Sequence, residues 1–439
     1  MTLDQRRSES SPKYGFGRVL PSESYEYPDP VTGVTVRVLT AHPAGSPKPY
    51  QTHPTWTTDG DWILFRSDRS GDGSQAYLVH ERDGHILQLT EDPRTDTSSL
   101  NLDVGRNTLY YFRRSAVPSA ADLGHSELVG LDLNRLIPDA IAGAVGARAT
   151  YERVVTALPG DLHSAGGFAI DADGTAAYWG IGFGPPPQRP AKPQQRRSMI
   201  DQQNTNVAEE REAARQRFAV AGRGPGGIRR IDLNTGEIST VIDTDFRMGH
   251  VQTNPWVPGE IIYCHETTGD APQRIWTVRG DGSGNRPLYV ETPDEWVTHE
   301  TVSGADEVMF NLMAHLPYLA EKPSGVAVID LRSNEMRLLG QARGQGFWHC
   351  NGSPDRRWAV ADDFLGDITL IDRRSGEMTV LTTDHKMRPD HTHPIFSPDS
   401  RRVLIQSGRP SDGQVLDLVI IEVPETLRGR VPALPQPTN

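Results

Sequence analysis

Apolar and polar residues alternate in short runs along most of this chain, the period of a strand with one face buried. Val34 to Ala41 (VTVRVLTA) is the first such run. From His53 the chain reads HPTWTTDGDWILFRSD and then SQAYLVHERDGHILQLT, which predicts two strand pairs with Asp-Gly turns. The phrase returns with variations. Phe168 to Trp179 is answered by Gly227 to Val241, Asn254 to His265 by Arg274 to Tyr289, and Thr298 to Asn311 by Gly325 to Leu339. His349 to Asp362 then leads to Ile368 to Leu381, and His393 to Gln406 leads to Leu416 to Val423. With a degenerate copy from Ser98 to Leu133, the units number seven at a period of about 40 residues, the spacing of four-stranded propeller blades. The predicted fold is all-β, a seven-bladed β-propeller over 34–425, with a loose polar arm at 1–33 and a tail at 426–439. The last unit has only three strands and Val34 to Ala41 is left over at the front, so that N-terminal strand is expected to close the last blade. An insertion at about 184–227 breaks the rhythm. It opens on Pro185-Pro186-Pro187, carries a short helical stretch from Val207 to Arg215, and reads as a partly ordered flap.

Composition adds exclusions. Formal net charge is −12, which argues against a nucleic-acid or anionic-membrane surface. Two cysteines, Cys264 and Cys350, support no disulfide framework. No apolar run approaches a membrane span, and the polar N-terminus lacks a secretory pattern, so a cytoplasmic protein is expected. No nucleophile elbow, P-loop or dinucleotide fingerprint is present.

The histidines carry the candidate chemistry. His391 and His393 stand at i and i+2, so an extended segment points both imidazoles to one side. His53, His349 and His393 each precede a turn aspartate (Asp59, Asp355, Asp399) by six residues, at the start of an inner strand, and His250 and His299 occupy the corresponding place in their own blades. These six should ring one mouth of the channel. A cluster of neutral imidazoles suits metal binding and proton transfer near neutral pH, and Arg274 could supply a fixed cation for a carboxylate.

The string Gly249-His250, Tyr263-Cys264-His265-Glu266, Arg274-Ile275-Trp276, Asp281-Gly282-Ser283, Thr298-His299-Glu300 and His391-Thr392-His393-Pro394 resembles the oligogalacturonate lyases, seven-bladed propeller enzymes that cleave short pectin fragments. The resemblance implies that His250 is the Brønsted base and that His299, His391 and His393 hold a divalent metal, commonly manganese. The family's fourth ligand is a glutamine where this chain has Arg388, and a guanidinium stays protonated and does not normally ligate. Asp390 or water would then complete the shell, or Arg388 would bind the substrate carboxylate itself. His53, His349, His265, Arg274 and Arg388 are the expected substrate contacts, with Arg274 also expected in catalysis. The partner so implied is an acidic oligosaccharide.

β-Elimination from a uronide explains these residue types independently. The C5 proton is weakly acidic, a cation on the adjacent carboxylate stabilises the enolate, and a neutral histidine takes the proton. Two other readings fit a propeller: a non-catalytic TolB-like scaffold binding a sugar or peptide, and the propeller part of a prolyl-oligopeptidase-like hydrolase. The second needs a hydrolase domain for which seven blades leave no chain.

Overall fold

The computed structural model describes residues 13–114, 125–184, 223–266, 273–292, 295–314, 325–341, 346–386 and 388–428, with three further positions at 209, 212 and 216. Its strands form seven small antiparallel sheets, the blades of a seven-bladed propeller. Blades 3 to 6 are each continuous in sequence. Their inner strands are Leu162–Ile170, Met248–Thr253, Glu295–Gly304 and Phe347–Gly352. Blade 2 starts at Asn101–Asp103, whereas in blade 1 the inner position is reduced to one bridge between Trp56 and Ile63.

Two turns recur from blade to blade for physical reasons visible in the side chains. Between the first two strands, Thr57, Ser353 and Ser397 donate their hydroxyls to Asp59, Asp355 and Asp399, all at 2.6 Å. Between the last two, Asp232, Asp330 and Asp372 each accept two backbone N–H groups of the turn. Gly236, Asn334 and Gly376 then take the positive φ that closes these turns.

Blade 7 shows how the ring closes. Ile395–Phe396, Arg402–Ser407 and Asp417–Glu422 come from the C-terminal end, and Thr35–Val38 from the N-terminal end supplies the next strand, with Val38 opposite Val419 and Val36 opposite Ile421. Burial follows the ring. Seven apolar clusters stand at the seven blade-to-blade interfaces, and the one between blades 7 and 1 joins Leu39, Leu404 and Ile420 to Ile63 and Phe65.

The structure differs from the expected boundaries in two places. The segment before residue 34 is not a loose arm from Val19 onward. Val19–Leu20 pairs with the outer strand of blade 1, and Tyr25–Pro28 adds a fifth strand to blade 7. Single apolar residues, Phe16, Leu20 and Tyr27, anchor it among polar neighbours, which hides the alternation. Blade 2 also contains a helix, Leu133–Ile141, which begins where the degenerate copy read from the sequence ends. Asp132 caps it at the Asn134 N–H, and Leu133, Leu136, Ile137 and Ala140 face the core. The expected insertion lies outside the described residues from 185 to 222, apart from helical positions Glu209, Glu212 and Gln216, and the tail lies outside them beyond Arg428. Among the described residues no helix is long and apolar enough to cross a membrane.

Removing residues 1–41 would strip Val36, Val38 and Leu39, each fully buried, from blade 7. That forfeits roughly 5–9 kcal/mol of apolar burial, comparable to the whole stability of a domain. The truncated chain is expected to lose its cooperative thermal transition in scanning calorimetry. A transition as sharp as that of the full chain would mean that blade 7 closes without this strand.

Candidate active site

The histidines reach the channel mouth because the inner strands are irregular there. Register breaks between Gly249 and Gln252 in blade 4, between Thr298 and Thr301 in blade 5, and between Phe347 and His349 in blade 6. His250, His299 and His393 all have left-handed backbone, with φ of 49°, 55° and 47°. Such φ values are uncommon for residues other than glycine, and bulges re-aim side chains out of the pleat. The backbone is therefore bent at the points where imidazoles must leave the sheet plane.

Two groups result. In the first, His250 Nδ1 lies 2.9 Å from Oε1 of the fully buried Glu300 and Nε2 lies 3.8 Å from Glu266 Oε2. Arg274 donates from Nε to Glu300 Oε2 at 3.3 Å and approaches Glu266 at 3.8 Å. Burial works to raise the Glu300 carboxyl, but Arg274 and His250 prevail and hold it well below the usual carboxylate range. The ionised Glu300 would favour a proton on His250 Nδ1 and a lone pair on Nε2, although neither Nδ1 nor Oε1 makes a hydrogen bond of good geometry as they stand. His250 lines a cavity of about 810 Å³ shared with Tyr50, His53, His163 and Glu266.

The second group is a cluster of imidazoles. His349 is its centre, with ring centroids 4.1 Å from His299, 4.1 Å from His393 and 5.4 Å from His391. Trp348 walls one side, 4.6 Å from His299 and 5.6 Å from His391, and Tyr50 the other, 5.1 Å from both His393 and His250. Burial, reinforced by the neighbouring imidazoles, keeps His299, His349 and His393 well below the ordinary histidine range and hence neutral. Nδ1 of His299 is buried without a hydrogen-bond partner. Asp362, completely buried, faces His349 Nδ1 at 3.1 Å and accepts the Thr392 hydroxyl at 2.5 Å. Burial pushes its carboxyl up to about 6. Gln406 donates to His393 Nδ1 at 2.9 Å and to the His391 carbonyl at 2.8 Å, fixing the pair to blade 7.

Either group contains metal-ligand chemistry. His250, Cys264 and Glu300 bring ligand atoms within 4.8 Å of one another. Arg274 already neutralises Glu300, however, and burial raises the Cys264 thiol and so keeps it protonated. A cation there would sit against a guanidinium. The imidazole cluster has the better donor chemistry, with a buried ring nitrogen of His299 left unsatisfied, although among the described residues no three of its nitrogens lie within 4.8 Å of one another.

The structure thus gathers His250, His299, His349, His391 and His393 around Tyr50 and Trp348, with His53 lining the same cavity as His250. Three expected contacts are placed otherwise. His265 is turned to the other side of its strand and stacks on Phe246 at 4.4 Å, because alternation gives the mouth to Cys264 and Glu266. Arg274 is buried beneath His250 with its guanidinium on Glu300, and does not line the cavity. Arg388 is exposed on the loop before Asp390. Sequence reasoning also passes over Tyr50, Lys48, Glu300 and Asp362. Glu300 carries a signal, as neighbour of His299 in the Thr-His-Glu string. Asp362 carries one as well, as the residue across the hairpin from His349. Tyr50 and Lys48 carry none, because nothing local ties them to the histidines they meet.

The chain is 23% identical over 445 aligned positions to the oligogalacturonate lyase of Dickeya dadantii, covering 94% of this chain and 99% of that one. With the oligogalacturonide lyase of Pectobacterium atrosepticum it shares 22% over 440 positions, at the same coverage. The chain is similar to the oligogalacturonate lyases. Two solved oligogalacturonate lyases share its fold over 94% of this chain and all of theirs. One, in complex with manganese, superposes with a TM-score of 0.72 at 20% identity, and one from Vibrio parahaemolyticus with 0.71 at 18%. No protein-family model matches the chain.

Lys48 offers a test of this electrostatic picture. Its side chain is buried beside Asp390 and His393, and burial lowers its ammonium to about 7, below the ordinary value near 10.4. The folded state thus disfavours the charged form. The resulting penalty is full below about pH 7 and fades as pH rises toward about 10. Lys48→Met in metal-free protein should gain roughly 1–4 kcal/mol near pH 7 and progressively less at higher pH, read from denaturant midpoints. A gain independent of pH would refute the assignment.

Proposed function

We propose that this protein is a polysaccharide lyase that cleaves a uronic-acid-containing oligosaccharide by β-elimination, with oligogalacturonate as the first substrate to try. The observation that carries the reading is the His250–Glu300 pair, backed by Arg274 and opening on a cavity beside a cluster of neutral imidazoles. Similarity to oligogalacturonate lyases along the whole chain supports it. A passive sugar-binding face has no use for an imidazole held between two carboxylates.

His250 Nε2 would take the C5 proton. The negative Glu300 at Nδ1 stabilises the imidazolium as it forms, and Arg274 behind Glu300 keeps that carboxylate ionised throughout. The electron pair of the broken C5–H bond becomes the C4–C5 double bond, the C4–O bond breaks, and the departing oxygen gains a proton. The product carries a 4,5-unsaturated sugar. Tyr50, its phenol kept protonated by burial, packs against His250 and His393 and holds the two groups at a fixed separation.

His299, His391 and His393 would hold a divalent cation, manganese being the first candidate because one similar structure is a manganese complex. Bound there, the cation supplies positive charge to the uronate carboxylate as the C5 proton leaves. For His393 to join, its Nδ1 must release Gln406 or its ring must turn. Since the chain as a whole is acidic, anion binding falls to this local set, with His53 as its further member.

Incubation with oligogalacturonates and related uronides in the presence of manganese should produce ultraviolet absorbance from the unsaturated product. His250→Ala is expected to lower kcat by about 10²–10⁴, and Glu300→Gln by a similar factor with little change in KM. Absence of product from every acidic oligosaccharide tried would sink the proposal.

A further inference from the structure

We infer that His349 is a ligand of the divalent cation in the imidazole cluster, with Asp362 as the carboxylate that orients it. The inference rests on reading that cluster as a metal centre and goes beyond it in naming a ligand and its support.

His349 is the geometric hub. Its ring lies 4.1 Å from those of His299 and His393 and 5.4 Å from that of His391, whereas His391 and His393 stand 6.4 Å apart. At metal–nitrogen bonds of about 2.0–2.1 Å, imidazoles sharing one cation place their centroids on the order of 4.5–5.5 Å apart. As they stand, no three of these rings bring their nitrogens within 4.8 Å of one another. With His349 held in place, rotation of its neighbours about it would bring them to that range.

Its tautomer is already set. Nδ1 faces Asp362 Oδ2 at 3.1 Å, and the backbone N–H of His349 donates to Oδ1 at 2.6 Å, so the ring is locked about its side-chain torsions. The proton belongs on Nδ1. Nε2 keeps its lone pair on the edge of the ring remote from Asp362. A carboxylate on one nitrogen and a metal on the other is the recurrent arrangement of ligating histidines. His393 is in the opposite state, since Gln406 donates to its Nδ1 and the ring proton is left on Nε2.

The carboxylate also serves both halves of the cluster. Asp362 is completely buried, and its other side-chain hydrogen bond, from the Thr392 hydroxyl at 2.5 Å, holds the segment between His391 and His393. Burying a carboxylate is costly unless it is paired, and here the pairing ties His349 to the segment that carries His391 and His393. Arg388, by contrast, is exposed and has no nitrogen lone pair to offer.

The test uses the full chain, stripped with a chelator and titrated with manganese(II) and with cobalt(II). Bound metal is measured by elemental analysis after dialysis, and the cobalt site by its visible absorption. His349→Ala should weaken manganese binding by about tenfold or more and change the cobalt spectrum. Asp362→Asn, which keeps the ring but loses the negative charge behind it, should weaken binding by about 10–100-fold. If His349→Ala does not fold, judged by circular dichroism, His349→Gln takes its place. Wild-type affinity and an unchanged cobalt spectrum in a folded His349 variant would overturn the inference. Failure of the wild-type chain to bind either ion would overturn it together with the metal centre. Metal binding lost with His349 but no cleavage of any uronide would leave it standing and remove the substrate assignment instead.

Discussion

Asp362 sits on the second strand of blade 6 with no exposure to water, and it is stabilised by the neighbours it binds, among them His349 from the inner strand of its own blade and Thr392 from the segment leading into blade 7. Because an unpaired carboxylate in that position would cost several kcal/mol, the two segments cannot move apart independently. The histidine pair around Thr392 is thereby tied to His349, and through ring contacts to His299 and Tyr50. The closure of blade 7 by the N-terminal strand is what gives this arrangement a rigid frame.

The second buried carboxylate, Glu300, does the same for the other half. It is held ionised by Arg274 and presents its charge to His250. The two halves use opposite electrostatics. Around Glu300 the charges are kept and balanced, which would suit a group that takes up a proton. Around Asp362 the imidazoles are crowded, and His299, His349 and His393 are neutral, which would suit lone-pair donation. Tyr50 touches both, with its ring 5.1 Å from those of His250 and His393 and 6.4 Å from that of His349.

This division has a backbone cost. His250, His299 and His393 all sit at positive φ, and the sheets of blades 4 and 5 break register beside the first two. A regular inner strand would point alternate side chains into the neighbouring blades and could not turn them all to the channel mouth. The strain is offset by the seven apolar interfaces.

Legibility in the sequence differs from residue to residue. The blade count and the closing strand follow from a period-2 pattern and recurring Asp-centred turns, both of which are local chemistry: a strand alternates, and an aspartate caps the turn after it. The fixed distance of the histidines from those turns is enough to collect them at one mouth. His265 does not join them, since a regular strand sends neighbours to opposite faces, and the charge of Arg274 is absorbed by Glu300, a partner from another blade. Tyr50 and Lys48 leave no trace in the pattern, because each acts across a separation that only ring closure reduces to a few ångströms, whereas Asp362 lies across a hairpin from His349. Fold and the kinds of side chain at the mouth are thus written in short-range periodicity. Which nitrogen of each imidazole is free, and which carboxylate stands behind it, depends on burial and long-range pairing, and those exist only once the blades have closed into a ring.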